Sequence, residues 1–521
     1  MTGQSKAEGA FHDGRRSSGY SKYILFLLVI VSFLNYIDRQ IIYIVGERVK
    51  QDLRLDDAEL GFLMGTSFAV FYGVSGIAMG RIADAVSRTR LLAVGLAVWS
   101  ALTAFSGAAS NFAMLALARV GVGIGESTAS PCSQALIAES FPPRNRATAF
   151  GVYLIGVQLG GAASLLMGAL VLQHWADLCA YLPGDACGVA DWRAAFFAVG
   201  LPGLAVAALI YRLKEPPRPK PPEEISLPRL AIREMSAAVP PFTLWNLQNI
   251  GGRPAVLRNL GFVTVLIGSI GILVAITGDT AQWIAVGIGV YSVATWGQVM
   301  KLRDPALFGR TFGGPAFAPV MFAGALLAIC TSSVGAWSAP YAMRILGGAP
   351  VEVGLYLGIG SAIGGATGAI AGGRLTDWWR QRDSRAPVWV GLLALVTPLP
   401  FLGWMLQSET LTGYAAASLF FHLFGSLWTG VAGALAQDLV LPRMRGAAAG
   451  AFSLVMLVIA AGFGPYIVGK VSHLSGSLAF GMLSVFAVVP VAIGLFLRAA
   501  ARLPNELDSL RHATETNVDP L

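Results

Sequence analysis

Fourteen runs of roughly 20 or more mostly apolar residues dominate the chain, and each is long enough to cross a bilayer as a helix. They fall at about 22–46, 58–83, 91–109, 112–137, 147–173 and 193–212, then 259–278 and 281–299, then 316–342, 352–375, 387–407, 412–438, 447–469 and 476–498. Only 13% of the 521 residues are charged, about half the share an ordinary soluble domain carries. Too little polar surface exists to wrap several soluble cores, and 55% hydrophobic residues exclude a disordered chain. The first 21 residues are polar and the next run is too long for a signal peptide, so no cleaved leader is expected.

The grouping six, two, six sets the expected domains: a tail (1–21), a six-helix bundle (22–212), a polar Pro-rich linker (213–257), an inserted helix pair (258–300), a second bundle (301–500) and a tail (501–521). An amphipathic stretch is expected in the linker around Pro228–Leu247, and the inserted pair is expected to be peripheral. Charge orders the loops. Of 37 Lys and Arg, 29 fall on the side shared by both termini, six on the other (Arg48, Lys50, Arg54, Arg193, Arg344, Lys470), and Arg39 and Arg119 lie inside spans. The positive-inside rule puts both termini in the cytoplasm. It also explains the net charge of +8 as topology; no nucleic-acid partner is expected.

The connection after the second span reads Gly80-Arg-Ile-Ala-Asp84 with Arg88, and 293 residues later Gly373-Arg-Leu-Thr-Asp377 appears with Arg380. A repeated six-span unit fits a carrier whose halves rock about a midplane site. A small residue where helices approach, and an acid placed to pair with an arginine, suit an ion pair that latches the halves in one state and releases in the other. The pattern resembles the signature loop of the major facilitator superfamily, with Ser87 where that family usually has glycine. The resemblance implies an all-α membrane fold of two six-helix bundles, here with two extra central helices, and a cytoplasmic gate at Gly80, Asp84, Arg88, Gly373 and Asp377.

Charges within spans cost about 2.5–3.5 kcal/mol each on insertion scales, so function is their default reading. Asp38 lies 16 residues past Lys22, roughly 24 Å along the first span, and Arg119 seven residues past Phe112, roughly 10 Å into the fourth. In a core about 30 Å thick these depths match, which allows the two to pair. Glu126 lies two turns beyond Arg119 on the same face. Asp38 and Glu126 are candidates for proton coupling with Arg39 and Arg119 as charge partners; a permanent ion pair joining the two spans is the other reading.

Leu34-Asn-Tyr-Ile-Asp38-Arg39-Gln40, Arg119 with Gly123-Ile-Gly125-Glu126, Pro142-Pro-Arg144-Asn-Arg146, Lys214-Glu-Pro-Pro and Gln437-Asp-Leu-Val-Leu-Pro442-Arg-Met-Arg445 resemble the spinster branch of that superfamily. That resemblance covers both bundles. It implies proton coupling at Asp38, partnered by Arg39 and Arg119, with Glu126 in the cavity and an amphipathic lipid-like substrate. The inserted pair departs from the branch. Organic-anion symporters of the hexuronate type share the Asn-Tyr-x-Asp-Arg pattern and are the alternative; their substrate carboxylates would meet Arg39 or Arg119. The fifth span has Gly156-Val-Gln-Leu-Gly160-Gly161 without the proline usual in drug-proton antiporters.

Tyr36, Tyr153, Gln158, Trp337, Tyr341, His422 and Trp428 are the candidate cavity lining. Cys179 and Cys187 are expected to form a disulfide on the oxidising side, while Cys132 and Cys330 are core thiols. Gly464-Pro-Tyr-Ile-Val-Gly469-Lys470-Val471 lacks the Ser or Thr of a phosphate loop, so the energy source is expected to be a proton gradient, with no cofactor and no metal. The expectation is a monomeric secondary transporter of the bacterial inner membrane, not an enzyme, moving a small organic or lipid-like substrate among membrane lipids. A lipid-modifying membrane enzyme and a transport-dead sensor are the readings from other classes.

Overall fold

A computed structural model of the chain describes residues 17–181, 186–216, 242–441 and 444–516; side chains are not described at 17, 18, 81, 143, 144, 147, 186, 242, 511 and 513–516. Fourteen of the described helices are long and apolar enough to cross a membrane. The first six are α1 (Gly19–Leu53), α2 (Asp57–Ala85), α3 (Arg88–Ser106), α4 (Phe112–Ser140), α5 (Thr148–Tyr181) and α6 (Asp191–Tyr211). A hairpin of α7 (Thr243–Thr277) and α8 (Thr280–Arg303) follows. The second six are α9 (Phe317–Arg344), α10 (Pro350–Arg380), α11 (Ala386–Gln407), α12 (Leu411–Asp438), α13 (Arg445–Ser475) and α14 (Leu478–Leu510). No strand occurs among the described residues. The multi-pass, all-α architecture is therefore as the hydropathy pattern predicts.

Two boundaries differ from the sequence reading. Helix already runs from Phe242, inside the expected linker, because the segment before Gly252 is amphipathic rather than continuously apolar. Gly252 (φ 63) and Pro254 then break α7. Residues 217–241, with most of the expected amphipathic stretch, lie outside the described residues. At the other end, helix continues to Thr516, past the expected boundary at 500, because Leu503, Glu506 and Leu510 keep a buried stripe after the apolar run ends.

Each half closes on one face. The Tyr20 hydroxyl bonds the backbone of Lys214 (2.9 and 2.7 Å), joining the start of α1 to the end of α6. The Ala316 amide donates to Glu506 (2.7 Å), joining the start of α9 to the end of α14. Both bundles thus begin and end on one side, the terminal face; the other is the far face.

The halves touch at two seams, both toward the far face. Along α2 and α13 the approach is so close that a Cβ on Gly61, Gly65 or Gly469 would meet the backbone of Pro465, Ala461 or Asp57. Along α5 and α10, Gly354 and Gly358 lie against the backbone of Leu165 and Ala162. One apolar cluster there draws on both halves, with Ile41, Val45, Leu63, Trp337, Tyr414 and Val468. Toward the terminal face the same four helices part: an added Cβ at Gly80, Gly151, Gly373, Gly446 or Gly450 would meet no atom within 4 Å. Close packing between the halves is thus found toward the far face and not at these terminal-face positions; the space between the halves on that side is the central cavity.

The hairpin lies over the α2–α13 seam. The Thr66 hydroxyl of α2 lies 2.7 Å from both the carbonyl of Gly462 in α13 and Oε1 of Gln282 in α8 and shares its single proton between them, and Gln282 donates to that same carbonyl (3.0 Å). At its far-face tip Asp279 pairs with Lys470 (2.7 Å) and accepts from Tyr466 (2.7 Å). The pair thus stands outside the bundles but seals one of their two seams.

Candidate functional site

Helices α1 and α4 bring four charges together near mid-membrane. Asp38 and Arg119 are 1% exposed and Glu126 is fully buried, while the Arg39 side chain keeps 18% exposure. Arg39 pairs with Glu126 across the helices at 3.2 Å. Its guanidinium also lies over the rings of Tyr36, Phe68 and Tyr72 at 4.6–4.9 Å, a stack favoured where the cation is desolvated. The exposed edge of Arg39 is thus the one charged surface of this quartet that the cavity reaches.

Arg119 does something other than the expected pairing with the Asp38 carboxylate. Its two terminal nitrogens donate to the backbone carbonyls of Asp38 (2.9 Å) and Arg39 (3.0 Å). A planar fork of donors matches two successive carbonyls as well as it matches a carboxylate, and sequence spacing does not distinguish them. Arg119 thereby fixes the backbone that carries the acid and the cavity-facing cation. The Asp38 carboxyl turns from the cavity toward α3, beside the Trp99 indole and the Thr103 hydroxyl. Glu126 ends the first helical segment of α4, Phe112–Glu126, just before the break at Ser127 and Thr128.

The seven candidate lining residues divide. Tyr36 is half-buried beneath Arg39, and Gln158 is exposed at the α5–α10 seam opposite Gly365. Tyr153 belongs to the core of the first half. Trp337, Tyr341 and Trp428 are core residues, which corrects their assignment to the cavity. Trp337 is fully buried and donates to the Pro465 carbonyl (2.9 Å), Tyr341 stacks on Tyr414 (5.3 Å between centroids), and Trp428 packs edge-on against Phe496 (5.3 Å). In spans wetted by lipid outside, both faces are apolar, so the face an aromatic residue takes is not written in the pattern. His422 is half-buried and Nδ1 bonds the Ser418 carbonyl of its own helix (2.8 Å).

The terminal-face charges do not pair across the halves in this conformation, which is the released state of a latch that forms in one state only. Arg88 pairs with Asp84 (3.1 Å) and with Glu139, and its backbone N–H donates to Glu215 (3.1 Å), all within the first half. The second copy pairs Arg380 with Asp438 (2.6 Å), again within its own half, while Asp377 is exposed on α10. Gly80 and Gly373 face open space, as a parted gate requires. Glu139 and Asp438 were missed by the sequence reading; both stand at the end of the fourth span of a half. Cys179 and Cys187 are joined by a disulfide, and Cys132 and Cys330 are buried thiols.

A second charged cluster closes the far face, also unassigned from sequence. Arg344 of α9 holds Asp57 at 2.8 Å and Glu47 at 2.5 Å, and Lys50 (2.5 Å) and Ser472 (2.6 Å) complete the shell of Asp57. This pairing crosses from one half to the other. The signal available was that Arg344 is one of few basic residues on that side.

Two six-helix halves, closed by ion pairs on one face and open on the other, the first of them holding opposed charges within its spans, are the build of an alternating-access carrier. Residues 28–465 match the Major Facilitator Superfamily, and the chain belongs to that family. It is 28% identical to an MFS-type efflux pump of Mycolicibacterium smegmatis over 86% of this chain and 83% of that one. It is 26% identical to protein spinster homolog 1 of Bos taurus over 88% and 74%. In fold it matches the crystal structure of a bacterial homolog to the human lysosomal transporter Spinster in an inward-facing, occupied conformation, with TM-score 0.71 and 21% identity over 94% of this chain and 99% of that one. The protein is a multi-pass secondary transporter of small molecules.

Proposed function

We propose that this carrier is proton-coupled and moves an amphipathic, lipid-like organic substrate through a bacterial inner membrane as a monomer, with the terminal face cytoplasmic. The Arg39–Glu126 pair at the cavity wall carries the reading. Arg39 is the accessible cation, and Glu126 is the partner it gives up when a proton or a substrate anion arrives. Asp38 is the coupling acid: its protonation changes the charge behind Arg39 and lets the cation change partners, while Arg119 keeps the helix backbone in register. The second half brings no formal charge to this pair, which suits a substrate with one polar head and an apolar body. The cytoplasmic assignment rests on the basic residues gathered at the terminal face. The driving force is the proton gradient, with no cofactor. An enzyme acting on lipids would need its acids, histidines or serines at a membrane face, whereas these charges lie near the middle.

Organic-anion symport is the second reading, favoured by the same exposed edge of Arg39 and by the 27% identity to a probable L-galactonate transporter of Escherichia coli, over 37% of this chain. Proteoliposomes with an internal pH dye, offered lysolipids, aromatic acids and hexuronates, separate the two. One class should move protons in the parent and not in Asp38→Asn. Proton movement with hexuronates alone selects the second reading, and unchanged pH dependence in Asp38→Asn removes Asp38 from the coupling.

A further inference from the structure

The Asp38 carboxyl is turned away from the cavity, into a closed space between α1, α3 and α4. Its neighbours there are two donors one turn apart on α3, the Trp99 indole N–H and the Thr103 hydroxyl. Trp99 and Thr103 are both fully buried. Asp38 Oδ1, Trp99 Nε1 and Thr103 Oγ1 are each sealed from water, and none completes a hydrogen bond in this conformation. Buried polar groups are nearly always satisfied, so an acceptor and two donors left open side by side need an explanation. A carboxylate accepts at both oxygens; a protonated carboxyl has one acceptor fewer and adds a donor. The space therefore distinguishes the two charge states of Asp38.

We propose that Trp99 and Thr103 are positioning residues of the coupling acid. They receive the ionised Asp38 carboxylate on α3, and a proton arriving at Asp38 displaces their bonds and frees the carboxyl to move. This rests on the reading of Asp38 as the coupling acid. The charged groups that act on it are Glu126 and Arg119 on α4; Arg39 follows it on α1, Tyr36, Tyr43 and Tyr72 surround the two arginines, and its α3 neighbours, Trp99 and Thr103, are neutral donors. Trp99 also lies against Gly125, where an added Cβ would sit 3.0 Å from the Trp99 Cβ. The Cβ and backbone of Trp99 thus abut the residue before Glu126 and the break in α4. A shift of Trp99 with the charge of Asp38 is felt next to Glu126, the acid that holds the cavity-facing Arg39.

Infrared difference spectroscopy of the full-length carrier in proteoliposomes, titrated with pH and without substrate, reads the protonated carboxyl directly. Asp38→Asn identifies the band that belongs to Asp38. Donors to the charged form favour it, so their loss favours the protonated form. Thr103→Val and Trp99→Phe should each move the midpoint of that band upward by about one pH unit, a tenfold change in proton affinity. Thr103→Ser should restore the parent value. Proton-coupled flux with a lysolipid probe should shift its pH profile alike, and Thr103→Val should add nothing on an Asp38→Asn background. Thr103→Val is nearly isosteric, so it decides the matter if Trp99→Phe does not fold. A band present in the parent and unmoved in Thr103→Val overturns this proposal and leaves Asp38 as the acid. No band lost in Asp38→Asn overturns the reading of Asp38 itself.

Discussion

The fourth span of each half breaks near its middle, and the two breaks carry different chemistry. In α4 the first segment ends on Glu126, which is fully buried and held by Arg39. In α12 the break is the tight turn Ser426–Trp428, and Trp428 packs into the apolar core against Phe496. Two bundles of similar build thus divide the work. The first holds Asp38, Arg39, Arg119 and Glu126; the second offers that site no formal charge and contributes Arg344 to the far-face gate. Alternating access needs only one half to change its charge, provided the other gives a firm surface to rock against. Burial of the four charges is costly, and confining them to one half leaves the second free to pack as an apolar wall.

The largest effect should follow from breaking the pair on the charged side. Arg39→Leu leaves Glu126 buried without its partner, a loss of about 3–5 kcal/mol. Transport should fall by more than about a hundredfold and the thermal unfolding midpoint should drop. Combining it with Glu126→Gln should restore stability and not transport, because the buried charge is gone but the cavity cation is too. Recovery of transport in the double variant would show the pair to be structural.

Next comes the charge by which the second half grips the first at the far face. Arg344→Ala removes the guanidinium between Glu47 and Asp57. Because the Arg344 side chain keeps 23% exposure, solvent tempers the loss to about 1–3 kcal/mol. Spin labels at Gln51→Cys on α1 and Glu352→Cys on α10, both exposed on the far face, report the gate. The longer-distance population should grow roughly tenfold. Gln282→Leu should act in the same direction but more weakly, about 1 kcal/mol or roughly fivefold, since Thr66 still reaches the Gly462 carbonyl without it. An unchanged distance distribution in Gln282→Leu would mean that the hairpin merely lies on the seam.

The unequal halves were partly readable in advance. Spans stand out because lipid demands long apolar runs, and Asp38, Arg39, Arg119 and Glu126 stand out because a charge there is costly. What those charges touch was not readable: Arg119 found backbone carbonyls, and a carbonyl exists at every residue. Trp337, Tyr341 and Trp428 misled for a related reason, since an aromatic residue in a span packs equally well toward lipid, core or cavity. Glu139 and Asp438 had a usable signal, an acid closing the fourth span of each half, which mattered only once Arg88 and Arg380 were seen beside them. The seam-covering position of the hairpin had none, because Gln282 reads as one polar residue in an apolar run.

The smallest expected effect is the sharpest test of the division between halves. His422 is a titratable group within α12, and histidine is the residue type whose free side chain changes charge near neutral pH. Its Nδ1 is engaged with the Ser418 carbonyl one turn back, its Nε2 faces Gly335 of α9 and its Cβ lies against Gly364 of α10, with neither Asp38 nor Glu126 among these contacts. If the second half is an apolar counter-surface, His422→Asn should change transport by less than about twofold and leave the pH midpoint where it is, as substitutions away from the working charges do. The measurement is the pH profile of flux in the same proteoliposomes. A shifted midpoint would place a titrating group in each half, and the coupling would then belong to both bundles instead of one.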